Sequence, residues 1–181
     1  NPMSIDTFIT EYEVLIRLSF FFGVFFIMAV WELIAPRRQL IIPKILRWSN
    51  NLALVFLNSF ILRLLFPAAA VGMAAFANQH GWGVFNYFET PLYIAAILSV
   101  IIMDAIIYLQ HVMVHAVPAL WRLHRVHHAD PDFDVTTGAR FHPIEIILSM
   151  LIKFAVIIVL GPPVVAVIVF EVLLNATAMF N

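Results

Sequence analysis

The chain has 181 residues, of which 63% are hydrophobic and only 12% are charged, whereas a soluble globular domain is about half apolar and about a quarter charged. Its mean hydropathy of +0.97 therefore indicates an integral membrane protein. Ten basic residues and eleven acidic residues give a net charge of -1, so the composition does not point to a nucleic-acid partner. The absence of cysteine excludes disulfides, thiolate metal sites and a cysteine nucleophile.

The N-terminus does not have the pattern of a secretory signal. Asp6, Glu11 and Glu13 stand where a signal peptide carries basic residues, so no cleavable signal is expected. We interpret Asn1 and Pro2 as non-native residues ahead of a native start at Met3. No repeat or interdomain linker follows, and residues 1–181 are predicted to form a single integral-membrane domain.

Three apolar runs are long enough to cross a bilayer, which needs about 20 helical residues. They cover residues 14–35, 52–77 and 91–110. The second run contains Arg63, an intramembrane charge that needs a partner, and Pro67, which predicts a kink.

The connections between these runs set the predicted orientation. Residues 36–50 carry four basic side chains and no acid, so the positive-inside rule places this connection in the cytoplasm. These side chains are Arg37, Arg38, Lys44 and Arg47. The loop at residues 78–90 is then outside, and its His80 is predicted to be a surface residue remote from the other histidines.

Two shorter apolar runs, residues 144–160 and 164–180, are hinged at Gly161-Pro162-Pro163. About 17 residues make a helix of about 25 Å, which barely crosses or falls short of a hydrocarbon core of about 30 Å. We predict a helical hairpin that enters and leaves on the same side. Lys153 and Glu171 are each nine positions from Pro162, so they should form an intramembrane ion pair, shared with Arg63.

Six of the seven histidines lie within residues 111–142. They are His111, His115, His124, His127, His128 and His142. The spacing puts His111 and His115 on one helix face and the next three histidines on one face of a second helix, with Pro118 suited to the turn between the two helices. Clustered imidazoles favour Zn, Fe, Cu or Ni. Six candidates favour two metal ions, and the thiolate-free set suits iron or zinc. The predicted fold is therefore an all-α, multi-pass transmembrane bundle of three spans plus a short helical hairpin, with a cytoplasmic histidine-rich metal site.

Three blocks contain these histidines: D-x-x-x-Y-x-x-H-x-x-x-H at residues 104–115, H-R-V-H-H at residues 124–128 and R-F-H-P-I-E at residues 140–145. Together they resemble the sterol desaturase/fatty acid hydroxylase superfamily of multi-pass membrane enzymes. The resemblance implies a histidine-ligated diiron centre that uses O2 and two electrons to hydroxylate or desaturate lipid C–H bonds. It implies that all six histidines are iron ligands, with His142 matching the histidine of the F-H-P block, and with zinc as a substitute metal.

The resemblance also implies partners and further site residues. The lipid substrate would enter from the bilayer, and a separate electron-donor protein is needed because the chain has no nucleotide or flavin motif. Asp104 and Tyr108 share a helix stripe with His111 and His115. They are candidates to contact ligands or substrate, or else to pack the helix or partner Arg63.

Three basic residues lie near the same site in the sequence. They are Arg122, Arg125 and Arg140. They would meet lipid phosphates or an acidic electron donor, or simply follow the positive-inside bias.

The superfamily has a further H-x-x-H-H box downstream of the hairpin, and the chain reaches Asn181 without one. We therefore expect a C-terminally incomplete chain whose diiron site needs additional ligands. The expected location is a bacterial inner membrane, or the endoplasmic reticulum in a eukaryote. Two other classes of function stay open, namely a non-redox zinc-binding membrane protein (a hydrolase or a metal-binding module) and a structural or transport bundle.

Overall fold

The computed structural model describes residue 8, residues 11–36 and residues 40–180. This part of the chain is all-α, with 80% helix and no strand, which confirms the predicted fold class. Its helices are α1 (Glu13–Ile34), α2 (Lys44–Leu65), α3 (Ala69–Gln79), α4 (Val84–Tyr87), α5 (Leu92–Ala116), α6 (Pro118–His128), a 3-10 turn at Thr137–Ala139, α7 (Pro143–Leu160) and α8 (Val164–Met179).

Four apolar segments of the described chain are long enough to span a membrane. They are Glu13–Ile34, Lys44–Tyr87, Leu92–Ala116 and Pro143–Leu160. The three predicted spans are among them, and α7, the first arm of the predicted hairpin, is the fourth. Large apolar side chains cover the outside of the bundle, for example Phe56 at 72% and Phe60 at 68% exposure, as expected for a surface that faces lipid.

The second span differs from its prediction at its start and in the middle. Helix α2 already begins at Lys44, inside the region predicted to be a polar connection, whereas Arg37 and Arg38 lie outside the described residues. Near Pro67 the helix does not merely kink but stops at Leu65 and restarts at Ala69. Proline lacks a backbone N–H and pushes the preceding residue out of the helical region, and Phe66 indeed has φ -130° and ψ 72°.

The hairpin of α7 and α8 turns at Gly161, whose φ of 63° is the left-handed conformation that commonly ends a helix. A side chain at Gly161 would collide with the carbonyl oxygen of Trp82, and Asn78 Nδ2 donates to Pro162 O at 2.7 Å. The tip of the hairpin therefore packs against the loop after α3. The hairpin thus reaches deeper than the predicted one, which barely crossed or fell short of the hydrocarbon core. Met179 packs beside Ala29, so the chain returns to the end from which the hairpin started, as predicted.

The main core lies where α3, α5, α7 and α8 meet. Its fully buried side chains include Met103, Ile157, Val167 and Phe170. Small residues of α3, such as Ala74 at 0% exposure, let the helices approach closely, which is how helices commonly pack in membranes. This core holds α5 and α7 together, and these helices carry histidines of the candidate site.

The predicted ion pair within the hairpin is confirmed, because Lys153 Nζ lies 3.1 Å from Glu171 Oε1. The prediction that Arg63 shares this ion pair is wrong. Arg17 of α1, not Arg63, completes the group, with a guanidinium nitrogen 2.6 Å from Glu171 Oε2. Among the described residues Arg63 forms no ion pair, and it is exposed. It lies five positions after the buried Asn58, which is about 140° around the helix and therefore points it away from the interior.

Candidate metal centre

Helix α5 and helix α6 carry five of the six clustered histidines. Helix α5 runs on through His111 and His115 to Ala116, and Pro118 is the first residue of α6. Val117 between them is extended, with φ -94° and ψ 116°, the conformation favoured before a proline. The predicted turn at Pro118 is confirmed, and it folds α6 back so that its histidines meet those of α5.

Three histidines form a group with the geometry of a metal site. His111, His115 and His124 each offer a ligand atom, and these atoms lie within 4.8 Å of one another. The Nε2 atoms of His111 and His115 are 3.2 Å apart, close enough for both to reach one ion at the usual distance of about 2.1 Å. The arrangement gives a nitrogen-only site at the end of an apolar helix.

The side chain of His124 is the most constrained of the three. It is fully buried, and its Nδ1 lies 2.6 Å from Glu145 Oε1. Its Nε2 is also buried, yet it has no hydrogen-bond partner in the described part of the chain. Buried polar atoms are normally paired, and an imidazole nitrogen left free next to two other imidazoles fits a metal ion. The residues present therefore fit the metal site that the sequence predicts.

His128 and His127 lie beside this group in different ways. The His128 ring is 5.0 Å from the rings of both His115 and His124. The His127 ring stacks on Phe141 at 4.8 Å with an interplanar angle of 2°, meets Phe133 in a T-shaped contact, and lies 5.0 Å from the His128 ring. Thus His128 joins the rings of both helices, whereas His127 is packed between aromatic side chains.

His142 sits at the start of α7, where it caps the helix. Its Nδ1 accepts a hydrogen bond from the backbone N–H of Ile144 at 3.1 Å, so one ring nitrogen is already engaged. It makes no ring contact with the five other clustered histidines within the described ranges. Its assignment as a ligand remains a prediction.

Three other residues discussed in the sequence analysis form no hydrogen bond or ring contact with the candidate ligands within the part of the chain that the structure describes. Asp104 and Tyr108 are exposed, Tyr108 at 65%, and neither bonds a candidate ligand among the residues described. Their role remains a prediction. His80 packs its ring against Phe76 and Trp82, well apart from the cluster.

Burial sets the protonation of the histidines on α6. It lowers the pKa of His124 to about 4, with a further contribution from the nearby His115 and His128. Burial likewise lowers the pKa of His127 to about 4, with His128 and His124 adding to the effect. Neutral imidazole is the form that binds metal, so these rings are ready for a metal near neutral pH.

A polar face of α2 holds the loop between His128 and His142, a feature that the sequence prediction missed. Arg47 donates from Nε to Asp130 Oδ1 at 2.7 Å and lies 3.0 Å from Asp134 Oδ2. It also donates to the backbone oxygen of Asp132. One buried guanidinium therefore gathers three aspartates that alternate along the loop, although the sequence analysis assigned Arg47 only to a charged connection.

Asparagines on the same face of α2 extend this support. Asn51 Nδ2 donates to Asp130 Oδ2 and to Thr136 Oγ1, both at 2.9 Å. Asn58 Nδ2 donates to the backbone oxygen of Phe141, also at 2.9 Å. Polar residues inside an apolar segment were the sequence signal for this support. Their partners could not be identified from it, because they lie about 80 positions away.

The carboxylates of the loop anchor it to α2, and that of Asp130 is held in the ionised form. Burial acts to raise the pKa of Asp130, but hydrogen bonds from Asn51, Thr137 and Arg47 outweigh it and hold this pKa below its usual range. Asp132 Oδ2 accepts from the backbone N–H groups of Ile41 and Ile42 at 2.8 and 2.9 Å. The loop is thereby tied to the start of α2, next to the histidines.

The family model described as fatty acid hydroxylase matches residues 96–181, a stretch that contains every clustered histidine and all three sequence blocks. The chain matches no curated protein and no solved structure. The family match suggests a lipid-modifying membrane oxygenase, and together with the four apolar segments it suggests an integral membrane protein. The resemblance inferred from the histidine blocks is thereby confirmed, and residues 96–181 match the fatty acid hydroxylase family within the sterol desaturase/fatty acid hydroxylase superfamily.

Proposed function

We propose that the protein is a membrane oxidoreductase that uses a histidine-ligated diiron centre and O2 to hydroxylate or desaturate a lipid C–H bond. One observation carries the proposal. His111, His115 and His124 bring their ligand atoms within 4.8 Å of one another, and they do so within the stretch that matches the fatty acid hydroxylase family. Iron bound there would supply the activation of O2 and the oxidising power needed to attack an unactivated C–H bond.

The ligand set that we propose comprises all six clustered histidines. His128 is supported by its ring contacts with His115 and His124. His142 keeps one ring nitrogen after capping α7. His127 needs the largest rearrangement because it is stacked on Phe141. Any further ligands of a complete site would come from residues other than these six.

The substrate side of the site is proposed to be the lipid-facing surface of α5. Tyr108 is 65% exposed and lies three positions before His111, and Asp104 is exposed one turn earlier. Both would meet a lipid that approaches the histidines along the helix. We therefore assign them to substrate contact rather than to support of the ligands.

We propose that the histidines face the cytoplasm. Arg47 joins the basic segment at residues 36–50 to the loop at Asp130, so the segment that the positive-inside rule places in the cytoplasm and the histidine site share one end of the bundle. Arg122 and Arg125 of α6 are exposed there, where they suit an acidic electron donor or lipid phosphates. The membrane is proposed to be a bacterial inner membrane, or the endoplasmic reticulum in a eukaryote.

Metal analysis combined with a lipid oxidation assay tests the proposal. The protein is purified anaerobically in detergent, its metals are measured, and reductant and O2 are then added in the presence of membrane lipids. Bound iron together with hydroxylated or newly unsaturated lipids, detected by mass spectrometry and absent under anoxia, is the expected result. Zinc as the sole bound metal, with any lipid conversion unaffected by anoxia, would instead support a non-redox zinc protein.

A further inference from the structure

The position of Glu145 in the sequence does not explain why its side chain is buried. It lies in the first turn of α7, where an acid is favoured by the helix dipole, but that benefit requires no burial. Glu145 is only 5% exposed, and its Oε1 lies 2.6 Å from Nδ1 of the fully buried His124. The carboxylate thus connects the start of α7 directly to a histidine of α6.

The chemistry of this contact determines which nitrogen of His124 can bind a metal. A metal ion on Nε2 of a neutral His124 requires the ring proton to sit on Nδ1, where Oε1 of Glu145 is placed to accept a hydrogen bond from it. Nε2 then carries a free lone pair, and it is the atom that is buried without a partner in the described part of the chain. Carboxylates that hold metal-binding histidines in this way fix the orientation of the ring and raise its basicity.

We propose that Glu145 is a positioning residue that holds His124 in the Nδ1–H tautomer, with Nε2 presented to the metal beside His111 and His115. The role in metal binding rests on the proposed function. The contact between Glu145 and His124 does not, because it is present in the metal-free chain. Glu145 acts through His124 and needs no contact with the metal or the substrate.

The tautomer is tested first, in metal-free protein labelled with 15N-histidine and held in detergent micelles. Two-bond 15N–1H correlation spectra report which ring nitrogen carries the proton, and a His124→Gln sample assigns the signal. We expect a single Nδ1–H tautomer for His124 in the wild-type chain and in Glu145→Gln, whose amide oxygen can still accept. An Nε2–H tautomer in the wild-type chain would overturn the proposal without any reference to a variant.

Metal affinity is tested next, by anaerobic titration with Fe2+ against a competing chelator. Glu145→Leu and Glu145→Asp, which remove or withdraw the acceptor, should weaken binding by about 10–100-fold, whereas Glu145→Gln should keep most of the affinity. Ser149→Ala, one turn further along α7, is the matched control and should bind as the wild type does. Wild-type affinity in Glu145→Asp or Glu145→Leu would contradict the role of Glu145.

The proposed diiron function and the proposed role of Glu145 are contradicted by different results. A wild-type chain that binds Zn2+ but no Fe2+ contradicts the diiron function, and the same titration with Zn2+ then still tests Glu145. Should Glu145→Leu fail to fold, as judged by gel filtration and circular dichroism, Glu145→Asp and the wild-type tautomer carry the test.

Discussion

Lys153 and Glu171 face each other across the hairpin of α7 and α8, with Nζ 3.1 Å from Oε1. The pair is almost entirely enclosed, and the other carboxylate oxygen of Glu171 lies 2.6 Å from a guanidinium nitrogen of Arg17. A single buried carboxylate thus joins both arms of the hairpin to α1. This contact fixes α1 against the hairpin of α7 and α8.

Removing Glu171 should therefore cost more than removing Lys153. Glu171→Leu leaves Lys153 without its counterion and Arg17 with only the more exposed Glu13, and breaking a buried pair in this way costs about 3–5 kcal/mol. Lys153→Met leaves Glu171 paired with Arg17 and should cost clearly less. Unfolding in mixed detergent micelles measures both. Glu13→Gln, which removes the more exposed partner of Arg17, is the control, and an equal loss in all three variants would contradict the central position of Glu171.

Arg47 is expected to be essential for the loop that carries the site. Arg47→Met would leave Asp134 buried without its cation and Asp130 with only the more distant Arg140, at a cost of about 3–5 kcal/mol. Arg47→Lys keeps the charge but not the forked donor geometry, and should cost less. Hydrogen–deuterium exchange should rise at residues 132–140 in both variants. Arg63→Met, at an exposed position, should change neither exchange nor stability, and similar effects of Arg63→Met and Arg47→Met would argue against the clamp.

Replacement by alanine should change the stability of the protein in opposite directions at two glycines. A Cβ at Gly138 would collide with the backbone oxygen of Ala178 at the end of α8, so Gly138→Ala should destabilise the protein by about 1–3 kcal/mol. Gly23 has nothing within 4 Å of an added Cβ, and Gly23→Ala in the middle of α1 should stabilise it by about 0.5–1 kcal/mol. Thermal unfolding distinguishes the two. A neutral Gly138→Ala would mean that α8 does not pack against the loop as described.

The metal-free protein should lose stability in mild acid. Burial lowers the pKa of His124 and of His127 to about 4 from an ordinary value of 6.5. Between these values the unfolded chain binds more protons than the folded chain, so the free energy of unfolding falls as the pH drops from about 6.5 towards 4 and is unaffected by these groups above that range. Unfolding at about pH 7 and about pH 5 measures the effect. It should shrink in His127→Gln and persist in His80→Gln, and the same pH dependence in His127→Gln as in the wild type would contradict the burial of the His127 ring.

Loss of a ligand should separate catalysis from membrane insertion. His124→Ala and His128→Ala are each expected to abolish O2-dependent lipid oxidation and to lower the bound iron, because each removes a nitrogen from the cluster. Both variants should still insert in the membrane, since the apolar segments are unchanged. His80→Ala, remote from the cluster, should retain activity. Retained turnover in either cluster variant would count against the oxygenase proposal.

The sequence alone predicted the features that depend on local periodicity. The 3.6-residue repeat places His111 with His115 and His124 with His128 on helix faces, and Pro118 separates the two helices because it can begin a helix but not continue one. The ion pair of Lys153 and Glu171 was also accessible. Two residues at equal offsets from the hinge residue Pro162 reach the same depth in a hairpin, whatever the rest of the fold does.

Only the tertiary structure decided which residues support the site. Arg47 and Asp130 are 83 positions apart, and nothing in the local pattern of either segment specifies the other. The same holds for Arg17, which replaced Arg63 beside Glu171, and for Glu145, whose local pattern indicated only a favourable helix start. The choice of partner depends on which helix faces pack together, because a buried charge is stabilised by the group that packing brings within a few ångströms, and that packing is a property of the whole bundle.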